Sequence, residues 1–297
     1  MLRLFYCDQY TIPLPAGHKF PATKYRLLRE LLAGEGLFQF EAAPLADLET
    51  IALAHDPEYV RRFLAGALDP LAMRRIGFPW SEELTRRTLA SLGGTLAAAD
   101  DAMARGFGGN LAGGTHHAFR GEGAGFCVFN DIAVAILALR RAGRATRAAV
   151  IDLDVHQGDG TAAIFQDDPD VFTISVHGRN NFPFRKQQSC LDIDLAHGSG
   201  DPAYLSAVEG VLPRMFAFRP DVVFYQAGVD GLKGDRLGRL ALTHEGLKTR
   251  DTLVMEGCRE HAVPMVAMLG GGYAEPIALT VEAHANTFRT AARVFAL

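Results

Sequence analysis

The chain has no run of ~18 consecutive apolar residues, so no segment is expected to cross a membrane as a helix. Met1 to Tyr10 carries one positive side chain and no long apolar core, which does not make a secretory signal. The four cysteines, Cys7, Cys127, Cys190 and Cys258, are scattered and form no Cys-x-x-Cys pair. That argues against a structural zinc finger or a disulfide framework, and it fits a reducing cytoplasm, the expected location. There is no basic excess: 30 Lys and Arg stand against 34 Asp and Glu, for a net charge of -4. A general attraction to nucleic acid is therefore excluded, and direct binding is not expected. The basic pairs Arg61-Arg62, Arg74-Arg75, Arg86-Arg87 and Arg140-Arg141 read as solvated helix faces. Glycine-rich nucleotide fingerprints are missing, as is the Gly-x-Ser-x-Gly turn of serine hydrolases. No low-complexity linker, internal repeat or break in composition divides the chain. One domain over residues 1–297 is the economical reading, with no stable partner implied.

What is present suits a large core: 48% of residues are hydrophobic and mean hydropathy is +0.06. Leu2 to Cys7 and Phe38 to Ala42 read as early strands, and Lys24 to Ala33 as a helix. Pro44 to His55 and Pro57 to Ala67 look helical, with Asp56 as an N-cap before Pro57. Asp69 to Trp80 reads as irregular, and Glu82 to Arg105 as a long helix. Gly106 to Gly125 is a glycine-rich loop or short strand, followed by a helix from Asn130 to Arg141. Strands are then expected over Ala148 to Leu153, Val171 to Val176, Asp221 to Tyr225 and Pro264 to Leu269. Helices are expected over Thr161 to Phe165, Pro202 to Phe218, Thr243 to His261 and Pro276 to Phe295. Alternation of strand and helix implies a three-layer α/β/α fold around a mainly parallel sheet.

Each core strand runs apolar and ends in polar chemistry, the pattern expected where a site forms beyond the carboxyl ends of parallel strands. The densest case is Ala148 to Gly160. Side chains in a strand alternate faces, so Asp152, Asp154 and His156 are expected on one face and Leu153 and Val155 on the other. Two carboxylates and an imidazole buried without partners would cost several kcal/mol each, roughly, so a cation or a set of hydrogen bonds must compensate. Asp154, His156 and Asp230 are candidate ligands of a divalent ion with one position open to water. The alternative is a network of hydrogen bonds without metal. Asp230, within Gly228-Val229-Asp230-Gly231, also suits a turn. His116-His117 could serve acid–base chemistry or could be satisfied elsewhere in the core. Tyr273, after Gly270-Gly271-Gly272, could donate to a developing oxyanion or could pack at a strand end.

Together these pieces resemble the histone deacetylase superfamily, which also contains bacterial acetoin-utilisation proteins and acetylpolyamine amidohydrolases. The matching motifs are Gly114-Thr115-His116-His117-Ala118, Gly125-Phe126-Cys127-Val128-Phe129-Asn130-Asp131, Ile151 to Gly160, Gln226-Ala227-Gly228-Val229-Asp230 and Leu269-Gly270-Gly271-Gly272-Tyr273. They occur in the family's order. Gly234-Asp235-Arg236-Leu237-Gly238 and the short length look most like the class IV branch and its bacterial relatives. The resemblance implies an arginase/deacetylase-like fold. It implies zinc, with iron(II) as the other candidate ion, held by Asp154, His156 and Asp230. It implies that His116 is backed by Asp152 and His117 by Asp159, and that Tyr273 faces the metal. Gly125, Phe126, Phe182 and Leu237 would line a tunnel for an acyl-lysine-like chain. A structural potassium ion would take oxygens from Asp152, Asp154, His156, Ser175 and Val176, and a second such site would lie near Phe165 and Val171. Gln157 stands where many relatives have histidine and is expected to point away from the ligands. The implied reaction is removal of an acetyl or longer acyl group from an acylated lysine or a small acylated amine. The rival readings are a binuclear manganese ureohydrolase on the same fold and a non-catalytic acyl-group or metal-binding module.

Overall fold

In the computed structural model, which describes residues 1–296, β1 (Leu2–Tyr6), α1 (Lys24–Ala33) and β2 (Phe38–Ala42) come first. Three short helices follow: α2 (Leu48–Ile51), α3 (Pro57–Leu64) and α4 (Pro70–Ile76). The long α5 (Glu82–Arg105) leads into β3 (Phe107–Asn110), then α6 (Asp131–Arg141), β4 (Ala148–Asp152), α7 (Asp159–Ile164) and β5 (Val171–Gly178). The chain ends with β6 (Leu191–Leu195), α8 (Asp201–Ala217), β7 (Val222–Gln226), α9 (His244–Glu260), β8 (Met265–Met268) and α10 (Ala278–Phe295). Among the described residues no helix is long and apolar enough to cross a membrane.

The eight strands form one sheet in the order β2-β1-β3-β8-β7-β4-β5-β6, and every pairing is parallel. Both faces are covered, and the central strands alternate between two cores accordingly. Ala149, Ile151, Val223, Tyr225, Met265 and Ala267 pack with apolar residues of α1, α8, α9 and α10. Ala148, Val150, Val222, Phe224, Val266 and Met268 pack with those of α2, α3, α5 and α6.

The order of the strands builds the site. β7 and β8, late in the chain, insert between β3 and β4. Their register aligns Asn110, Met268, Gln226, Asp152 and Ser175 as one terminal rung across the sheet. The loops after these residues carry His116-His117, Tyr273, Asp230 and Asp154-His156 to one edge.

Four segments depart from the expectations. β4 stops at Asp152, and Asp154 to His156 follow a bent path, so these side chains converge through a turn rather than by strand alternation. Asp69 to Trp80 is not irregular throughout: Asp69 caps α4 by accepting from the N–H groups of Leu71 and Ala72, both at 2.9 Å, and Gly77 ends it at φ 88°. Only Ile76 of that helix is buried, so it has little apolar periodicity to display. Pro44 to His55 forms just one helical turn, α2. β6 went unpredicted because it is a half-exposed edge strand alternating apolar and acidic residues, Leu-Asp-Ile-Asp-Leu.

Candidate active site

Asp154, His156 and Asp230 converge at the centre of the sheet's carboxyl edge, all three buried. His156 Nδ1 lies 3.0 Å from Asp154 Oδ1 and 3.0 Å from Asp230 Oδ2. The opposite oxygens are held by the backbone: Gly271 N–H donates to Asp154 Oδ2 at 2.7 Å and Val155 N–H to Asp230 Oδ1 at 2.9 Å. A Cβ on Gly271 would collide with the Asp230 carboxylate, and one on Gly228 with that of Asp154, so glycine is required for this close approach. Burial disfavours charge on all three groups, yet the two acids hold the His156 imidazole up at about 10. Burial and the neighbouring Asp154 charge push Asp230 up to about 7. Two carboxylates converging on one imidazole in a buried site make a donor set that could hold a metal ion. The His156 nitrogen and one oxygen from each acid lie within 4.8 Å of one another, close enough for a single ion to be shared among them.

The histidine pair sits beside this cluster, with both rings buried and 4.0 Å apart. His116 Nδ1 is 2.6 Å from Asp152 Oδ2, and His117 Nδ1 is 2.6 Å from Asp159 Oδ1. Asp159 opens α7, a turn the strand pattern did not single out. Burial opposes protonation of both rings. At His116 the Asp152 carboxylate outweighs it, raising the ring to about 9. At His117 burial and the positive His116 ring prevail, lowering it to about 4. A neutral His117 that donates its Nδ1–H in a hydrogen bond to Asp159 leaves Nε2 free to accept a proton.

The segment around Asp131 matches a family motif, but nothing in the sequence gives Asp131 a role. Asp131 anchors the histidine loop, accepting from Thr115 N–H at 2.7 Å, Thr115 Oγ1 at 2.6 Å and Gly114 N–H at 3.0 Å. Gln226 Nε2 holds Gly114 O from the far side at 2.8 Å. Asn130 caps α6 and donates to Ala118 O at 3.2 Å and Thr161 Oγ1 at 3.0 Å. His55 is buried beneath this loop. Its Nε2 accepts from Asn130 N–H at 2.8 Å, which makes Nδ1 the donor to Arg120 O at 3.3 Å.

Two buried cations were also missed. Lys24, at the start of α1, is 1% exposed and donates to Gly270 O at 3.0 Å. Its Nζ lies 5.5 Å from the centre of the Tyr273 ring, and burial lowers its pKa to about 8. Arg250, on α9, is fully buried and donates to Gly228 O at 2.6 Å and to Asp251 Oδ1 at 2.8 Å. Asp251 in turn accepts from the hydroxyls of Tyr225 and Thr287. The signal for Arg250 was an Arg-Asp pair inside the buried stripe of α9, between Leu247 and Val254.

Tyr273 lines the same cavity, and burial holds its phenol well above the ordinary value, so it remains a donor. Asp235 ties its loop to the Asp230 loop, accepting from Tyr273 N–H at 2.6 Å, Leu237 N–H at 2.8 Å and Gly238 N–H at 2.9 Å. The cavity is about 570 Å³, and Gly125, Phe126, Phe182 and Leu237 all line it. Phe126 holds φ 69°, an unfavourable conformation for a bulky residue, and is kept there by its N–H bond to Ile76 O at 2.7 Å. The Phe182 ring stands edge-on to His117 at 4.8 Å.

Of the residues named for potassium, Ser175 faces Asp152 in register, and its Oγ lies 2.9 Å from His177 Nδ1. Val176, Asp154 and His156 are buried alongside. Gln157 turns away from the ligand cluster, donating to Gln187 O at 2.7 Å and Asp192 Oδ1 at 2.8 Å.

An all-parallel α/β/α sheet with this cluster at its carboxyl edge is the arginase/deacetylase fold. The chain belongs to the histone deacetylase family: it matches the histone deacetylase domain over residues 18–288. It is 46% identical over 294 residues to an uncharacterized protein of Picosynechococcus sp., covering 98% of each chain. It is 34% identical over 290 residues to the histone deacetylase-like amidohydrolase of Pseudomonas aeruginosa, covering 89% of this chain and 74% of that one. Among solved structures, the acetylpolyamine aminohydrolase of Burkholderia pseudomallei shares the fold, with a TM-score of 0.80 at 22% identity over 98% of both chains.

Proposed function

We propose that this protein is a zinc-dependent amidohydrolase that removes an acetyl or longer acyl group from an acylated lysine or a similar small acylated amine. The observation that carries the reading is the pair of 2.6 Å His–Asp contacts, His116–Asp152 and His117–Asp159, set beside the Asp154, His156 and Asp230 cluster in one cavity.

Asp154, His156 and Asp230 would hold the ion, with iron(II) as the alternative to zinc. When bound, the ion supplies Lewis acidity and lowers the pKa of a water towards ~7. The protein's own groups do the rest. Asp159 fixes the His117 tautomer, so Nε2 can take a proton from the attacking water. As the amide C–N bond breaks, the same nitrogen returns that proton to the leaving amine. His116, held positive by Asp152, adds favourable potential for the negative charge that develops on the acyl oxygen. Tyr273 donates its phenolic proton in a hydrogen bond to that oxygen. Phe126 and Phe182 exclude water from the alkyl chain of the substrate, with Gly125 and Leu237 completing the tunnel. Oxygens of Asp152, Asp154, His156, Ser175 and Val176 would hold a structural potassium ion beneath the site.

The test is incubation of the purified protein with an acyl-lysine peptide and an acetylated polyamine, with mass spectrometry of the products. The reading expects free amine and free carboxylic acid in equal amounts. An intact amide in every substrate, across a range of acyl lengths, contradicts it.

A further inference from the structure

The cavity mouth carries a charge of the opposite sign to the chain as a whole. Lys19, Arg75, Arg236 and Arg239 line it, together with the exposed ring of Phe184. Among the described residues the only acid lining the cavity is Asp154, which belongs to the candidate metal cluster. Arg75 is paired with Glu122 at 2.6 Å and Arg236 with Glu275 at 3.5 Å. Lys19 and Arg239 have no acidic partner among the described residues. Asp235, nearby, spends its carboxylate on three backbone N–H groups. Arg179 and Lys186 flank the loop that carries Phe182, one paired with Asp194 at 2.7 Å and the other donating to Asn181 O at 2.6 Å. A net charge of -4 over the whole chain makes this basic mouth a local feature and not a consequence of composition.

We infer that the mouth selects acyl amines that carry negative charge near the scissile amide, specifically an acyl-lysine within an acidic peptide segment, and discriminates against polycationic acylated polyamines. The inference rests on the amidohydrolase reading and sharpens its substrate class. A polyamine would bring ammonium groups towards two unpaired cations lining the same cavity, and repulsion between exposed charges acts over about 8 Å at physiological salt. Flanking aspartates would instead meet Lys19 and Arg239, raising both encounter rate and residence.

The experiment uses the metal-loaded protein and two fluorescent acyl-lysine peptides, one flanked by aspartates and one by lysines. Their unacylated versions serve as controls, and N-acetylspermidine serves as competitor. Kd is read by fluorescence anisotropy and kcat/KM by product formation. The acidic peptide should be preferred by about tenfold at low salt, and the preference should shrink towards unity near 0.5 M salt. Lys19→Glu and Arg239→Glu together should remove or invert the preference through KM, with each single variant giving an intermediate value. Arg61→Glu, on α3 outside the mouth, should shift it less than about twofold, which separates local from global charge. Equal or tighter binding of the lysine-flanked peptide, effective competition by acetylspermidine, or a preference untouched by the double variant overturns the inference. If neither peptide is hydrolysed, the amidohydrolase reading fails, while the ratio of Kd values still decides the role of the mouth.

Discussion

Arg250 donates to the carbonyl oxygen of Gly228 at 2.6 Å, from a helix on one face of the sheet to the loop that presents Asp230. The same guanidinium reaches Leu153 O at 3.4 Å, next to Asp154. One buried cation therefore braces both carboxylate-bearing loops of the candidate metal cluster. Replacing it with methionine would leave Asp251 buried without its charge partner, at a cost of about 3–5 kcal/mol. Arg250→Met is predicted to lower the melting temperature by on the order of 10 °C. Zinc affinity in a chelator competition should fall about 10- to 100-fold, the usual result when support for metal ligands is lost. Arg250→Lys should recover more of the stability than of the affinity, because one ammonium cannot span the same carbonyls.

Acid should loosen the histidine loop from below. His55 is buried and neutral, its pKa lowered to about 4 by burial, against an unfolded value near 6.5. Its contribution is complete above pH 6.5 and is lost as pH falls through that value towards 4, because the unfolded chain takes up the proton first. Between pH 7 and pH 5 the loss from this residue alone is about 2 kcal/mol. Urea unfolding of the wild type and of His55→Gln at both values measures it. The glutamine variant can still accept from Asn130 N–H and should show a shallower acid limb by that amount. Parallel losses in both proteins would assign the acid sensitivity elsewhere.

Tyr273 tests the chemistry without disturbing the ligands. Tyr273→Phe should reduce kcat by about 10²–10³-fold, the usual cost of one oxyanion donor. Metal content by elemental analysis should be unchanged. Wild-type turnover in this variant removes the oxyanion role.

Much of this was readable from local patterns. The alternation of apolar strands with polar ends pointed to the sheet edge where the candidate site lies, and the Asp152 to Asp159 stretch, once matched to a family, pointed to the contacts that His116 and His117 make. Strand periodicity alone gave the wrong geometric reason for that cluster, because the chain bends after Asp152 and turns Asp154 and His156 inward. What stayed hidden was supplied across long sequence separations. Lys24, Asp131, Gln226 and Arg250 work by holding backbone groups of remote loops, and a backbone carbonyl leaves no mark in the sequence. α4 and β6 were hidden for a different reason: a helix with one buried residue and a half-exposed edge strand have little apolar pattern to detect.

The most direct measurement of the central claim is metal removal and return on the purified protein, with turnover of an acyl-lysine peptide as the readout. Chelation should abolish hydrolysis, and one equivalent of zinc per chain should restore it. Asp230→Asn should bind far less zinc and recover little. Hydrolysis that persists in metal-free protein, or recovery that requires two equivalents of manganese, would contradict a single-ion site built on Asp154, His156 and Asp230.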